Sequence, residues 1–134
     1  MTSIASIEGV GDAYAEKLKA AGIKTVETLL EKGATPAGRK EIESKTGLSG
    51  KYILKWVNHA DLSRIKGVGG QYAELLEAAG VDSVVELAQR NAANLHPAMV
   101  KANQEKKLVN VVAALSKVSD WVDQAKKLPR KVSY

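Results

Sequence analysis

The sequence predicts an all-α protein made of two tandem repeats of about four short helices each, packed into one compact body. Three observations carry this. The stretch IEGVGDAYAEKLKAAGIKTVETLLE at residues 7–31 returns as IKGVGGQYAELLEAAGVDSVVELAQ at residues 65–89, at a constant offset of 58 and with 13 of 25 positions identical, the mark of one structural unit used twice. Apolar residues recur at helical spacing almost throughout, punctuated by glycine, and period-two alternation is nowhere sustained. The chain has 134 residues, 45% hydrophobic and 26% charged, which suits a globular protein, whereas a repeat of roughly 60 residues is small for a core of its own.

Taken in order, Asp12 to Ala21 places Tyr14, Leu18 and Ala21 on one helical face, with Gly22 as a C-terminal stop. Thr25 to Glu31 aligns Val26, Leu29 and Leu30 and ends at Gly33. Thr35 followed by Pro36 reads as an N-cap with proline at the first helical position, opening a third helix to about Lys45. Thr46 to Ser49 is a stop and restart, and Tyr52, Ile53, Trp56 and Val57 form the stripe of a fourth helix. In the second copy Ser83 and Glu86 suggest a capping box, and residues 104–126 read as one longer helix bearing Leu108, Val111, Val112, Leu115, Val118 and Val122. WVNHA from Trp56 and WVDQA from Trp121 close the two copies at an offset of 65, so the second holds about seven extra residues near Leu95 to Lys107. The expected organisation is repeat 1 over residues 1–60, repeat 2 over 61–125 and a basic tail over 126–134.

Composition excludes several classes of function. No apolar run approaches the roughly 20 residues needed to cross a bilayer, and the N-terminal segment lacks the pattern of an export signal, so a cytoplasmic home is expected. With no cysteine there is no disulfide, thiol nucleophile or cysteine-ligated zinc. His59 and His96 lack metal-ligand spacing. No serine elbow or partner set marks a catalytic constellation, and neither GVG loop has the third glycine or preceding strand of a dinucleotide site. The expectation is a non-enzymatic protein without cofactor or metal. The net charge is +5, and Lys126, Lys127, Arg130 and Lys131 supply four of those charges with no acid among them. Basicity therefore marks the tail more than a face of the fold.

The GVG loops are the candidate sites. Glycines between two short helices let the backbone turn sharply and approach another molecule. Amides around Gly11 to Ala13, and around Gly69 to Gln71, then lie at a helix N-terminus suited to phosphate. Such a contact reads backbone rather than bases, so binding through it is sequence-tolerant and salt-sensitive.

At these residues IxGVGxxYAxxLxxAGI resembles the helix-hairpin-helix superfamily of DNA repair, recombination and transcription proteins. Over nearly the whole chain, the tandem arrangement with WVxxA endings also resembles a bacterial family catalogued only as a domain of unknown function. The first resemblance implies nonspecific binding of duplex or single-stranded nucleic acid through hairpin amides, although other members mediate protein contacts.

The two hairpins differ in ways that matter to a phosphate. Gly9, Val10 and Gly11 are flanked by Glu8 and Asp12, whose carboxylates repel phosphate and suit the helix dipole themselves, so the first hairpin is expected to be structural. Arg64 and Lys66 precede Gly67, Val68, Gly69, Gly70 and Gln71 in the second, and no carboxylate competes within that loop. Glu74 and Glu77 on the following helix count against it. Tyr14, Tyr72, Trp56 and Trp121 are assigned to core packing in preference to base stacking. The leading expectation is a nucleic-acid binder using the second hairpin and the basic tail; the competing one is a protein-interaction or scaffold subunit built on the same rigid block, favoured by the near-neutral body and the acids of the first hairpin.

Overall fold

A computed structural model of the chain describes residues 2–134. Among them, a 3-10 turn (Ile4–Ser6) precedes eight α-helices: α1 (Gly11–Ala20), α2 (Val26–Lys32), α3 (Pro36–Thr46), α4 (Gly50–Leu62), α5 (Gly70–Ala78), α6 (Val84–Ala88), α7 (Ala92–Lys106) and α8 (Leu115–Lys127). A lone antiparallel bridge pairs Ser3 with Thr25. The fold class is all-α.

Most helix starts are written locally. Thr25 Oγ1 accepts from the Thr28 amide (3.1 Å) and Thr35 Oγ1 from the Gly38 amide (3.1 Å), with Pro36 opening α3 as expected. Ser83 Oγ accepts from the Glu86 amide (3.2 Å), while the Glu86 carboxylate reaches back to the amide of Asp82 (3.2 Å), one residue before the cap. Asn91 Oδ1 accepts from the Ala93 amide (2.9 Å). Each cap satisfies a donor that the helix itself leaves unpaired, a contribution of about 1 kcal/mol.

The chain divides into two compact units, residues 1–61 with 131–134 and residues 62–130. Each unit closes a core of its own. In unit 1, Leu18, Ile23, Leu29, Ile53 and Trp56 are among the buried centre, with the ring of Tyr14 5.4 Å from that of Trp56 and 6.1 Å from that of Tyr52. In unit 2, α8 packs on α6 and α7, and α5 on α7. Leu75, Leu76, Leu87, Leu95, Met99 and Trp121 lie at its centre. Both tryptophans are 2% exposed, and these large indoles fill much of each small core.

Two expectations change. The helix expected over residues 104–126 is broken: α7 ends at Lys106, Lys107 takes a left-handed conformation (φ 52), and α8 begins only at Leu115. The break is held by Asn103, whose Nδ2 donates to the Val109 carbonyl (3.0 Å) and whose Oδ1 accepts from the Val109 amide (2.9 Å). Those bonds tie the non-helical connection back onto the end of α7. Leu108, Val109 and Val112 still pack on the core from the connection, Ala113 is buried, and Val111 is left 74% exposed. The helical spacing of these aliphatics was thus coincidental.

Residues 126–134, set apart by charge in the sequence, lie in three settings. Lys126 and Lys127 are the last turn of α8, and Leu128 to Arg130 continue as coil in unit 2. Residues 131–134 return to unit 1. There Val132 is 3% exposed within the core, and Arg39, a residue 9% exposed, donates from its guanidinium to the carbonyls of Gly33 (2.9 Å) and Ser133 (2.7 Å). Burial lowers the pKa of Arg39, opposed by the charge of Tyr134.

The junction of α2 and α3 depends on one residue without a side chain. A Cβ on Gly38 would fall on the carbonyl oxygen of Lys32. Gly38→Ala is therefore expected to destabilise the protein by about 1–3 kcal/mol through overpacking, although alanine at a free helical site would stabilise by up to about 1 kcal/mol. Urea denaturation checks the sign, and a stabilised variant would contradict this packing.

Candidate nucleic-acid interface

The two GVG loops repeat one backbone. The amide of Ile7 donates to Ile4 and that of Val10 to Ile7 (3.4 and 3.3 Å); 58 residues later Ile65 donates to Leu62 and Val68 to Ile65 (both 3.1 Å). Gly9 and Gly67 occupy corresponding positions with φ of +85° and +98°, a region open to glycine at little cost. The result in each unit is a turn that buries both aliphatics, Ile7 with Val10 and Ile65 with Val68, and so turns the intervening backbone outward.

The loops part company at their second glycine. Gly11 has φ +65 and is already the first residue of α1, which has no side-chain cap and carries exposed Asp12 in its first turn. Neither Glu8 nor Asp12 caps the helix by a hydrogen bond. Gly69 instead is extended (φ −95, ψ −170) and serves as the N-cap of α5, again with no side-chain cap. A Cβ at Gly69 would meet nothing within 4 Å. The first bond of α5 is from the Ala73 amide to the Gly69 carbonyl (2.9 Å). Among the described residues, the amides of Gly69, Gly70, Gln71 and Tyr72 have no acceptor. They form an open set of donors at the positive end of a nine-residue helix, where negative charge is favoured.

This loop is braced from within unit 2. Gln124 on α8 grips the backbone of Lys66 from both sides, its Oε1 accepting from the Lys66 amide (2.9 Å) and its Nε2 donating to the Lys66 carbonyl (3.2 Å). The same Nε2 donates to Asp120 (2.9 Å). Gly67 lies on the indole of Trp121, where an added Cβ would sit 3.0 Å from Nε1. Tyr72, half-buried with its ring 5.3 Å from that of Trp121, donates from its hydroxyl to the Val111 carbonyl (2.7 Å).

The basic residues fall unevenly around the loop. Arg64 is half-buried and donates to the carbonyl of Pro129 (2.7 Å), so part of its donor set is engaged. That bond brings the chain between Lys127 and Arg130 beside the hairpin. Gln124 holds Lys66 and precedes Lys127 by three positions, neighbouring sites on a helix. Lys66, Gln71, Lys126, Lys127 and Arg130 are exposed. Lys131 is exposed but belongs to unit 1. Glu74 and Glu77 are half-buried on α5, and Asp120 is the acid bonded to the Gln124 clamp.

Among the described residues, no group of His, Asp and Glu is arranged to hold a metal ion, and no helix is long and apolar enough to cross a membrane. His59 is buried at the end of α4 and His96 half-buried on α7. The residue that sequence reasoning missed is Gln124. It sits in WVDQA, where the first copy has His59, and a clamp between residues 58 positions apart leaves no local pattern. Gln124→Ala is expected to cost about 1 kcal/mol and to speed hydrogen exchange at the Lys66 amide selectively. Unchanged exchange there would remove Gln124 as the brace.

A family model described as Domain of unknown function (DUF4332) matches residues 8–128. Neither the curated proteins nor the solved structures searched contain a match. A match of that extent, across both units and both GVG loops, means that the chain belongs to the DUF4332 family.

Proposed function

We propose that both units are helix-hairpin-helix repeats, and that the protein is a non-enzymatic, sequence-tolerant nucleic-acid-binding module working through the second hairpin. The observation that carries this is the uncapped start of α5: adjacent amides without acceptors, extended Gly69 in open space, and exposed Lys66 beside them. A phosphate oxygen supplies the missing acceptor and sits at the favourable end of the helix dipole. The loop meets it already shaped, because Gln124, Trp121 and the buried Ile65 and Val68 hold its inner side. Lys66, Lys126, Lys127 and Arg130 add charge without reading sequence. The first hairpin, with Gly11 turned to positive φ and Asp12 in the first turn, serves the fold of unit 1.

A second reading, a protein-interaction block, is favoured by the exposed aliphatics Val111 (74%) and Leu115 (47%) on the α7–α8 connection and the start of α8. One substitution separates the two. Gly69→Asp places a carboxylate where an N-cap belongs, so it should leave α5 as stable or more so, by up to about 1 kcal/mol, while filling the amides and repelling phosphate. Fluorescence anisotropy with a short duplex and a single strand is expected to show affinity reduced about tenfold or more, equivalent to about 1.4 kcal/mol. Lys66→Ala should lower the slope of log affinity against log salt by about one. Undiminished DNA binding by folded Gly69→Asp would refute the hairpin site, and no wild-type binding at low salt would leave the protein-interaction reading.

A further inference from the structure

Tyr52 is an aromatic residue on the outside of unit 1. It is 46% exposed on α4, and its ring lies nearly parallel to the indole of Trp56, at 20° with centroids 6.0 Å apart. Trp56 is buried, and half-buried Tyr14 stands beside both rings, 5.4 Å from Trp56 and 6.1 Å from Tyr52. The three rings run from the core to the surface, with Tyr52 as the outer member.

Closing a core of this kind does not require the outer ring. The pair Tyr14 and Trp56 has its counterpart in unit 2 as Tyr72 and Trp121, at offsets of 58 and 65, with those rings 5.3 Å apart. At the offset of the tryptophans, the place of Tyr52 is taken by Lys117, an exposed residue, and unit 2 still encloses its core. Unit 1 thus keeps a large ring in water where the other unit has a cation. Two lysines flank that ring. Lys51 adjoins Tyr52 on α4, and Lys17 lies three positions beyond Tyr14 on α1, a neighbouring site on that helix; both are exposed, and among the described residues neither is held in an ion pair. The Glu43 carboxylate lies beside Gly50 at the start of α4, so the charge around the ring is mixed and the ring itself is the distinctive group.

An exposed aromatic face with cations beside it suits an unpaired base, which stacks on the ring whatever its identity while lysines meet the adjoining phosphates. A base inside a duplex has both faces covered by its neighbours. We propose that Tyr52, backed by Trp56, is a stacking site for an unpaired base of a single-stranded nucleic acid, with Lys17 and Lys51 meeting its phosphates. This rests on the reading of the protein as a nucleic-acid binder and adds, in unit 1, a contact that the second hairpin does not supply. The hairpin amides take phosphate from either form of nucleic acid, whereas Tyr52 favours the single strand.

Tyr52→Lys in the full-length protein gives the test, because unit 2 carries lysine at this place and the change adds positive charge while removing the ring. By fluorescence anisotropy with a labelled oligothymidylate and a labelled duplex, Tyr52→Lys is expected to lower single-strand affinity about fivefold or more, as for a lost base stack, with duplex affinity held or slightly raised. Tyr52→Phe, which keeps the ring, is expected to bind both as wild type does. In the wild-type protein the strand should also move the ring-proton resonances of Tyr52 upfield, the sign of a base stacked on its face. Single-strand binding by Tyr52→Lys equal to or tighter than wild type would overturn the stacking site, as would equal losses on strand and duplex. Wild-type binding of the duplex without the strand would overturn this site and spare the hairpin; binding of neither would overturn the nucleic-acid reading and this site with it. Tyr52→Ala takes the same role should Tyr52→Lys not fold by circular dichroism.

Discussion

A turn of four residues that must bury two of them sets the geometry of this protein. Ile65 and Val68 enter the core of unit 2 three positions apart, and their backbones are linked by a hydrogen bond that closes the turn. Two aliphatics can point inward from so short a segment only if the residues between them turn the other way. Gly67 permits this with φ +98 and a surface that lies against Trp121. α5 opens two residues after the turn, with Gly69 as its N-cap, and among the described residues its first amides are left without acceptors while the apolar side of the turn is committed to the core. The proposed phosphate-binding surface is in this sense the reverse side of a packing solution.

The same solution in unit 1 shows how little separates a structural turn from a candidate binding loop. Ile7, Gly9 and Val10 reproduce the bonds and the positive φ of the second copy. What differs is Gly11 at φ +65, where Gly69 is extended, and carboxylates at Glu8 and Asp12, where the second loop has Lys66 and Gly70. A repeated unit can thus keep its fold-determining residues while one copy alone keeps the electrostatics that suit an anion.

How much was legible in the sequence follows from the range of each interaction. The caps at Thr35 and Ser83 act over three residues and are legible locally, as is the burial of both tryptophans; Thr25, expected as the first residue of its helix, is instead its cap. The break between α7 and α8 is not legible, because Leu108, Val111, Val112 and Leu115 satisfy helical spacing while the deciding bonds come from the side chain of Asn103. The docking of residues 132–134 was hidden for another reason. A single valine within a run of lysine and arginine carries almost no compositional signal, yet one buried valine and the Arg39 bond to Ser133 seat the segment on unit 1. For the candidate site, the glycines and Lys66 were visible in the motif; the Gln124 clamp and the partial commitment of Arg64 to Pro129 required the fold.

In the proposed function the amides opening α5, and not those opening α1, form an anion-binding surface. Two-dimensional amide NMR of the whole chain, titrated with a short DNA duplex at low salt, tests it residue by residue. The largest shifts are expected at Gly69, Gly70, Gln71 and Tyr72, reversed by added salt, with Gly9 to Ala13 unmoved. Shifts confined to Lys126–Lys131, or centred on the first hairpin, would contradict it.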